Sequence, residues 1–240
     1  MGDTQPMAAG NPGPADMVEI YYAPTAVFER RREGGFGLPL LVLVAVAAVL
    51  LFATSSLTRP IVDAEMSRGF AAMARKNPQL TPEQIDRMKA MGGGGTATIG
   101  AIVYFLIGPL IVGFLLWLVG KVVGAKQELV AAMTVGVFAF YPRLIELVVN
   151  AAQAAVLPEG ALNGRYRVSL GIGRFLDPDQ AILPLALLGR LDVFTIWVTV
   201  LLAIGLKVTG RATTGQAATA GVLIWVIGAI PPLLGAMRAA

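Results

Sequence analysis

Two pairs of opposite charges, set inside otherwise apolar stretches, are the side chains of this sequence best suited to chemistry. Arg143 and Glu146 lie in one apolar stretch, and Arg190 and Asp192 lie in another. A charged side chain in the hydrocarbon of a membrane is costly unless it is paired or faces water. Such residues therefore form either a pathway for an ion or polar substrate or a polar clamp between helices.

The position of each charge within its stretch predicts how the four side chains pair. Beginning the later span after Asp192 leaves only residues 193–206, which is fewer than the roughly 20 residues that a ~30 Å hydrocarbon core requires. Counting inward at about 1.5 Å per residue places Arg190 near the depth of Glu146, and Asp192 near that of Arg143. The sequence therefore predicts two ion pairs across helices, Arg190 with Glu146 and Asp192 with Arg143. We interpret this intramembrane polar cluster as a clamp, with a transport site as the alternative.

The elements that carry these charges are predicted to be membrane helices. The chain has 240 residues, is 56% hydrophobic and has a mean hydropathy of +0.71, which is too apolar for an ordinary soluble domain. Stretches of this length suit helices rather than the short strands of a barrel, because a helix satisfies its own backbone hydrogen bonds in lipid. The predicted fold is an all-α integral membrane bundle with five transmembrane helices, at about residues 36–55, 98–119, 129–157, 182–206 and 216–237.

The absence of histidine and cysteine restricts the chemistry available to the chain. These two residue types supply the commonest general base, metal ligand and redox group in proteins. We therefore expect no catalytic, cofactor-binding or metal-binding residues and no cofactor. The net charge of +4 is scattered over several loops, which favours the lipid bilayer as a partner and argues against nucleic acid.

The segments outside the spans are predicted to form a tail and a helical hairpin. Residues 1–19 read as a disordered tail, and residues 20–240 as one membrane domain. Residues 20–32 fit either an interfacial helix or an aromatic belt at headgroup depth. The first outer loop, residues 57–97, predicts a short amphipathic hairpin, whose second helix begins with a capping box between Thr81 and Gln84.

Prolines and glycines predict how the spans bend and pack. Pro109 and Pro142 lie inside spans and should kink them, since proline removes a backbone hydrogen bond. Glycines on one helix face allow close approach of a neighbouring helix. The glycines assigned to such packing faces are Gly113, Gly120, Gly124, Gly221 and Gly228.

Two stretches, over residues 107–142 and 188–206, resemble the bacterial branch of the Yip (Ypt-interacting protein) domain family. The most specific marks are the Tyr-Pro within the third span and the Leu-Asp-x-Phe-Thr-x-Trp run at 191–197. The resemblance implies five transmembrane helices, a cytoplasmic amino terminus and no established enzymatic activity. Eukaryotic members associate with Rab GTPases. This sequence lacks their Asp-Leu-Tyr-Gly-Pro run and retains only Gly108-Pro109, so that partner is not expected here.

Two functions are consistent with these features. The first is a non-enzymatic, multi-pass protein of the bacterial inner membrane that organises lipids or membrane-protein partners, with a second membrane protein or a homo-oligomer as its protein partner. The alternative is a small transporter, or an accessory subunit of an efflux or ABC system, that uses the intramembrane charges. The Arg triplet at 30–32 adjoins the first span and favours a cytoplasmic amino terminus.

Overall fold

The computed structural model describes residues 13–91 and 94–239, and these residues form α-helices joined by turns and, over residues 157–181, by a longer loop. That loop contains three short 3-10 helices, Glu159–Ala161, Arg165–Val168 and Ile172–Phe175. Within the described residues the strand-like pairing is confined to a single bridge between Gly171 and Asp192. The all-α prediction is therefore confirmed for the described part of the chain. The α-helices are α1 Asp16–Glu19, α2 Pro24–Arg30, α3 Gly37–Ala53, α4 Ser55–Lys76, α5 Pro82–Met91, α6 Gly94–Val122, α7 Leu129–Ala139, α8 Pro142–Val156, α9 Ile182–Leu188, α10 Val193–Thr209, α11 Thr214–Ile227 and α12 Ile230–Ala239.

Three helical stretches of the described residues are long and apolar enough to cross a membrane. They are Gly95–Val122, Leu129–Val156 and Thr214–Met237, and they coincide with three of the expected spans. A fourth candidate consists of α3 and α4 taken together, although the chain bends by 86° between them. Helix α10 is apolar but shorter, with 17 residues.

The prediction of one continuous helix over residues 182–206 is wrong. Helix α9 ends at Leu188 and helix α10 begins at Val193, so Arg190 and Asp192 lie in the turn between two helices. The reason is local: a carboxylate at the start of a helix accepts hydrogen bonds from backbone N–H groups that have no partner within the helix. At its other end, helix α10 extends past the predicted end of the span at residue 206 and continues through Lys207 to Thr209.

The two span prolines have different outcomes. Pro142 is the first residue of α8 and is separated from the end of α7 by two residues, so the helix is interrupted at the position where a kink was predicted. The carbonyl of Phe138, which Pro142 cannot reach with an N–H, accepts a hydrogen bond from the Tyr141 backbone at 3.2 Å. Pro109 lies inside α6, which continues on both sides of it, and a kink there stays a prediction.

The chain folds into two compact units. The first contains the described residues up to Val42 together with Pro109–Tyr141 and Val198–Ile224, and the second contains the described residues of Leu43–Gly108, Pro142–Trp197 and Trp225–Ala240.

In the first unit, α6 and α7 pack closely through small residues. A Cβ atom on Gly113 would lie 2.8 Å from the Met133 Cα, which leaves room only for glycine. A Cβ atom on Gly120 would lie 3.1 Å from the Leu206 side chain, and one on Gly221 would lie 3.4 Å from the Ala203 side chain. Gly124 does not act as a packing residue: it follows the end of α6 with a φ of +83°, the left-handed conformation that terminates helices and favours glycine.

The amino-terminal segment of the first unit is held by a buried carboxylate. Residues 1–12, most of the predicted tail, lie outside the described residues, but α1 is helical and its Asp16 side chain is only 2% exposed. Asp16 accepts hydrogen bonds from Arg30 at 2.8 Å and from Arg31 at 2.7 Å. Residues 16–19 thus differ from the expected tail, because two arginines distant in sequence bind them.

Helix α2 begins at Pro24, as expected for the segment 20–32, and packs into the first unit. Val27 and Phe28 are fully buried, and the Phe28 ring meets Phe138 edge to face, with centroids 6.4 Å apart. The apolar face of this helix is therefore covered by protein.

In the second unit, α4 packs on α8 and on the turn that follows it. The contact is a small apolar cluster formed by Ile61, Ala154, Leu162 and Val168. The capping box at the start of α5 is confirmed: the Thr81 N–H donates to Gln84 Oε1 at 3.0 Å, and the Gln84 N–H donates to Thr81 Oγ1 at 3.3 Å.

Asp16→Asn should lower the thermal unfolding midpoint of the detergent-solubilised protein. Removing one partner of a buried ion pair costs about 3–5 kcal/mol, because the other charge stays buried. Burial opposes ionisation of Asp16, but the hydrogen bonds from Arg31 and Arg30 outweigh it and hold the pKa of Asp16 below its ordinary value of 3.8. A lowered folded-state pKa gives stability that is present above the unfolded value and lost as the pH falls through the folded one.

The difference in midpoint between wild type and Asp16→Asn should therefore be full at neutral pH and shrink below pH 3.8. Glu33→Gln, at an exposed position just after the arginines, is the matched control and should leave the midpoint unchanged. A midpoint for Asp16→Asn equal to that of the control would contradict the role assigned to Asp16.

Candidate functional site

A cavity of about 600 Å³ in the second unit brings together all four residues of the predicted polar cluster. Arg143 and Glu146 reach it from α8, and Arg190 and Asp192 reach it from the turn between α9 and α10. The cluster therefore exists as a common site. Further polar side chains line the same cavity, namely Tyr104, Asn150, Arg165, Tyr166, Ser169 and Thr195.

The predicted ion pairs across helices are wrong. Arg143 Nη1 donates to Glu146 Oε2 at 2.6 Å, so the close pair lies within α8. Residues three apart on a helix share one face, and two long side chains meet there without any contribution from a second helix. Arg143 also donates from Nη2 to Thr195 Oγ1 at 3.1 Å, which links α8 to α10. Among the described residues, neither Arg190 nor Asp192 forms an ion pair.

Arg190 is held by a carbonyl and an aromatic ring. Its Nη1 donates to the Gly228 carbonyl at 2.8 Å, and its guanidinium lies 5.6 Å from the centroid of the Trp225 ring. The Trp225 Nε1–H in turn donates to the Arg190 carbonyl at 3.4 Å. A Cβ atom on Gly228 would lie 2.7 Å from Arg190 Nη2. Gly228 thus makes room for a guanidinium and not, as predicted, for a neighbouring helix.

Asp192 caps helix α10 with one of its two carboxylate oxygens. The side chain is 4% exposed, and Oδ1 accepts hydrogen bonds from the backbone N–H groups of Phe194 at 2.9 Å and Thr195 at 3.4 Å. The turn that carries Asp192 is held by the backbone N–H of Ile172, which donates to the Leu191 carbonyl at 3.2 Å. The second oxygen, Oδ2, is buried and makes no hydrogen bond with the described protein.

Most of the unpartnered buried polar atoms of the described chain lie at this one cavity. Six side-chain N or O atoms are buried without a hydrogen-bond partner, and five of them belong to residues that line it. A buried polar atom without a partner is destabilising, and native proteins carry few of them. Their concentration in one place indicates a binding site for a polar group. The five atoms are Arg143 Nε, Asn150 Oδ1, Ser169 Oγ, Arg190 Nε and Asp192 Oδ2.

Sequence reasoning missed six of the ten polar side chains of this lining. Asn150 was accessible to it, because residues 143, 146 and 150 recur at the spacing of one helix face. Ser169 and Tyr166 were not, since they lie in the irregular loop after α8, where no periodicity indicates direction. The contact between Gly189 and the Tyr166 ring fixes that loop, and it depends on tertiary packing.

The cavity contains hydrogen-bond donors and acceptors but no arrangement for nucleophilic catalysis. Ser169 Oγ has no hydrogen bond to a base, and Glu146 and Asp192 are engaged with Arg143 and with the start of α10. No group of three or more His, Cys, Asp or Glu residues able to hold a metal ion occurs in the part of the chain that the structure describes.

Apolar helices long enough to cross a bilayer, together with a charged cavity built between them, define a polytopic membrane protein. The chain belongs to the Yip1 domain family, whose family model matches residues 18–235. This confirms the resemblance at the level of the Yip domain family. Comparison with curated proteins gives no significant match, and comparison with solved structures gives none either.

Double-mutant cycles on the free energy of unfolding should distinguish the observed pair, Arg143 with Glu146, from the predicted pair, Arg190 with Glu146. Arg143→Gln and Glu146→Gln should be non-additive by about 0.5–3 kcal/mol, because each removes the partner of the other. Arg190→Gln and Glu146→Gln should show a smaller coupling, since Arg190 binds the Gly228 carbonyl instead. A larger coupling for Arg190 with Glu146 would contradict this geometry.

Proposed function

We propose that this chain is a non-enzymatic, multi-pass protein of the bacterial inner membrane, of the bacterial branch of its family, and that it organises lipids by binding a polar headgroup. The observation that carries the proposal is the set of five unpartnered polar atoms around one cavity in an otherwise apolar chain. Lipids are the most abundant polar-headed molecules available at such a site. Binding alone, without turnover, gives these unpartnered atoms their hydrogen-bond partners.

The chemistry of the lining supports binding over catalysis. The chain has no histidine and no cysteine, and the hydroxyl of Ser169 has no base beside it. Both carboxylates of the cavity already serve the fold, through Arg143 and through the start of α10. The remaining atoms suit recognition, because they offer donors and acceptors at fixed positions.

Five membrane crossings are supported by the apolar helices of the described chain. Three stretches are long and apolar enough to cross, α3 and α4 together form a bent fourth candidate, and α10 is a shorter apolar helix that supplies the fifth. Helix α10 would cross over about 26 Å at 1.5 Å per residue, close to the thickness of the hydrocarbon core.

Charge supports a cytoplasmic amino terminus. In the first unit, Arg32, Lys207 and Arg211 line one cavity of about 370 Å³, together with the single acid Glu29. A concentration of basic residues is typical of the cytoplasmic side of a membrane protein. On this orientation α4 and α5 form the amphipathic hairpin on the outer side.

Single introduced cysteines should map this topology without a background mutation, because the chain has no cysteine of its own. Four exposed positions are suitable: Glu33, Asn77, Val122 and Asn163. A membrane-impermeant maleimide added to the outside of spheroplasts should label the cysteines at 77 and 163 and spare those at 33 and 122. Labelling of all four from one side would contradict the three crossings that separate these positions, and the reverse pattern would contradict the cytoplasmic amino terminus.

Native mass spectrometry of the full chain, extracted directly into lipid nanodiscs and then released in mild detergent, tests the lipid-binding function. We expect bound phospholipid to survive release at defined stoichiometry. Lys89→Ala, on the exposed face of α5, should retain the same lipid and is the control. A protein that carries no lipid, whether as a bare monomer or with a protein partner alone, would contradict the proposal.

A further inference from the structure

We infer that the cavity takes the headgroup of an anionic phospholipid whose phosphodiester carries free hydroxyl groups, as in a glycerol headgroup. This inference rests on the proposed lipid-binding function and names its ligand class. Three properties of the lining lead to it: its net charge, its mixture of unpartnered donors and acceptors, and the apolar groove that adjoins it.

Counting Arg165, which lies exposed at its edge, the lining carries one positive charge in excess. Arg143, Arg165 and Arg190 face only two carboxylates, Glu146 and Asp192. Glu146 neutralises Arg143 at 2.6 Å, whereas among the described residues the guanidinium of Arg190 has only a carbonyl and an aromatic ring as partners. A partly buried guanidinium without a counter-ion favours an anion. A phosphodiester supplies one negative charge, whereas a zwitterionic headgroup would leave the excess charge in place.

The unpartnered atoms include both donors and acceptors, so a phosphate group alone does not satisfy them all. Arg143 Nε and Arg190 Nε are donors, which phosphate oxygens satisfy. Asp192 Oδ2 and Asn150 Oδ1 are acceptors, which a phosphodiester group cannot satisfy because it has no proton to give. Hydroxyl groups on the ligand donate to these oxygens, and Ser169 Oγ can serve in either direction.

A neighbouring groove indicates that the ligand is a lipid and not a soluble phosphate. A second cavity, of about 540 Å³, shares Arg165, Tyr166 and Pro232 with the first. Its lining continues into apolar side chains, Leu185 and Ala186 of α9 among them. The charged residues on its wall are Arg68 and Arg75 of α4 and the acids Glu65 and Asp179, with which Arg68 forms ion pairs. A headgroup held by Arg190 can therefore extend its apolar part along this groove.

The test measures the thermal stabilisation of the full-length protein in detergent on addition of one lipid at a time. Phosphatidylglycerol should stabilise it, whereas phosphatidylethanolamine, phosphatidylcholine and phosphatidic acid, which lacks headgroup hydroxyls, should do so at concentrations higher by about tenfold, equivalent to ~1.4 kcal/mol. Soluble glycerophosphoglycerol distinguishes the two sources of this chemistry and should stabilise far less than the lipid.

Two cavity variants and one control locate the effect. Arg190→Gln should weaken phosphatidylglycerol binding by at least about tenfold, as expected for loss of a hydrogen bond to a charged group. Ser169→Ala removes an unpartnered hydroxyl, should fold normally, and should reduce the preference for phosphatidylglycerol over phosphatidic acid. Arg59→Gln, at an exposed ion pair on α4 that does not line the cavity, should behave as wild type.

Three results would overturn this assignment. They are equal stabilisation by all four lipids, phosphatidylglycerol binding by both cavity variants equal to that of wild type, and stabilisation by soluble glycerophosphoglycerol equal to that by the lipid. If mass spectrometry still finds a bound lipid in that case, the lipid-binding function stands and only the headgroup class falls. If no lipid is retained, both fall.

Discussion

The second unit depends on one buried carboxylate at the start of a helix. Asp192 accepts backbone hydrogen bonds from Phe194 and Thr195 and so sets the first residue of α10. Because the helix begins there, Arg190 falls in a turn, where its guanidinium reaches the Gly228 carbonyl. The same capping geometry leaves the second oxygen of Asp192 in the cavity. The start of α10, the position of Arg190 in a turn and the unpartnered oxygen of Asp192 therefore all follow from the cap that Asp192 makes.

The helices themselves could be predicted from the sequence, because long apolar runs in lipid must satisfy their own hydrogen bonds. The capping box at Thr81 and the interruption at Pro142 were accessible for equally local reasons. The break between α9 and α10 was not predicted because span length alone was considered there. Helix α10 extends beyond Leu206 to Thr209, and this extension removes the length argument. The ion pairs were wrong because depth alone cannot distinguish a partner on the next turn from one on another helix.

The other features that the sequence did not predict depend on tertiary contacts. Nothing near Asp16 in sequence indicates that Arg30 and Arg31 bind it, and glycines of similar spacing turned out to have different roles. Gly113 permits a backbone contact, Gly124 provides a left-handed turn, and Gly228 accommodates Arg190. Small-residue patterns identify positions without a side chain, but the neighbour that requires the space is visible only in the fold.

The cavity is the central feature of this account, and a crystal structure grown in a lipidic mesophase doped with phosphatidylglycerol tests it most directly. The account predicts a phosphate within hydrogen-bond distance of Arg190 Nε and headgroup hydroxyls on Asp192 Oδ2, with the Arg143–Glu146 pair intact on α8. A structure in which Arg190 binds Glu146 and the cavity is closed would contradict it.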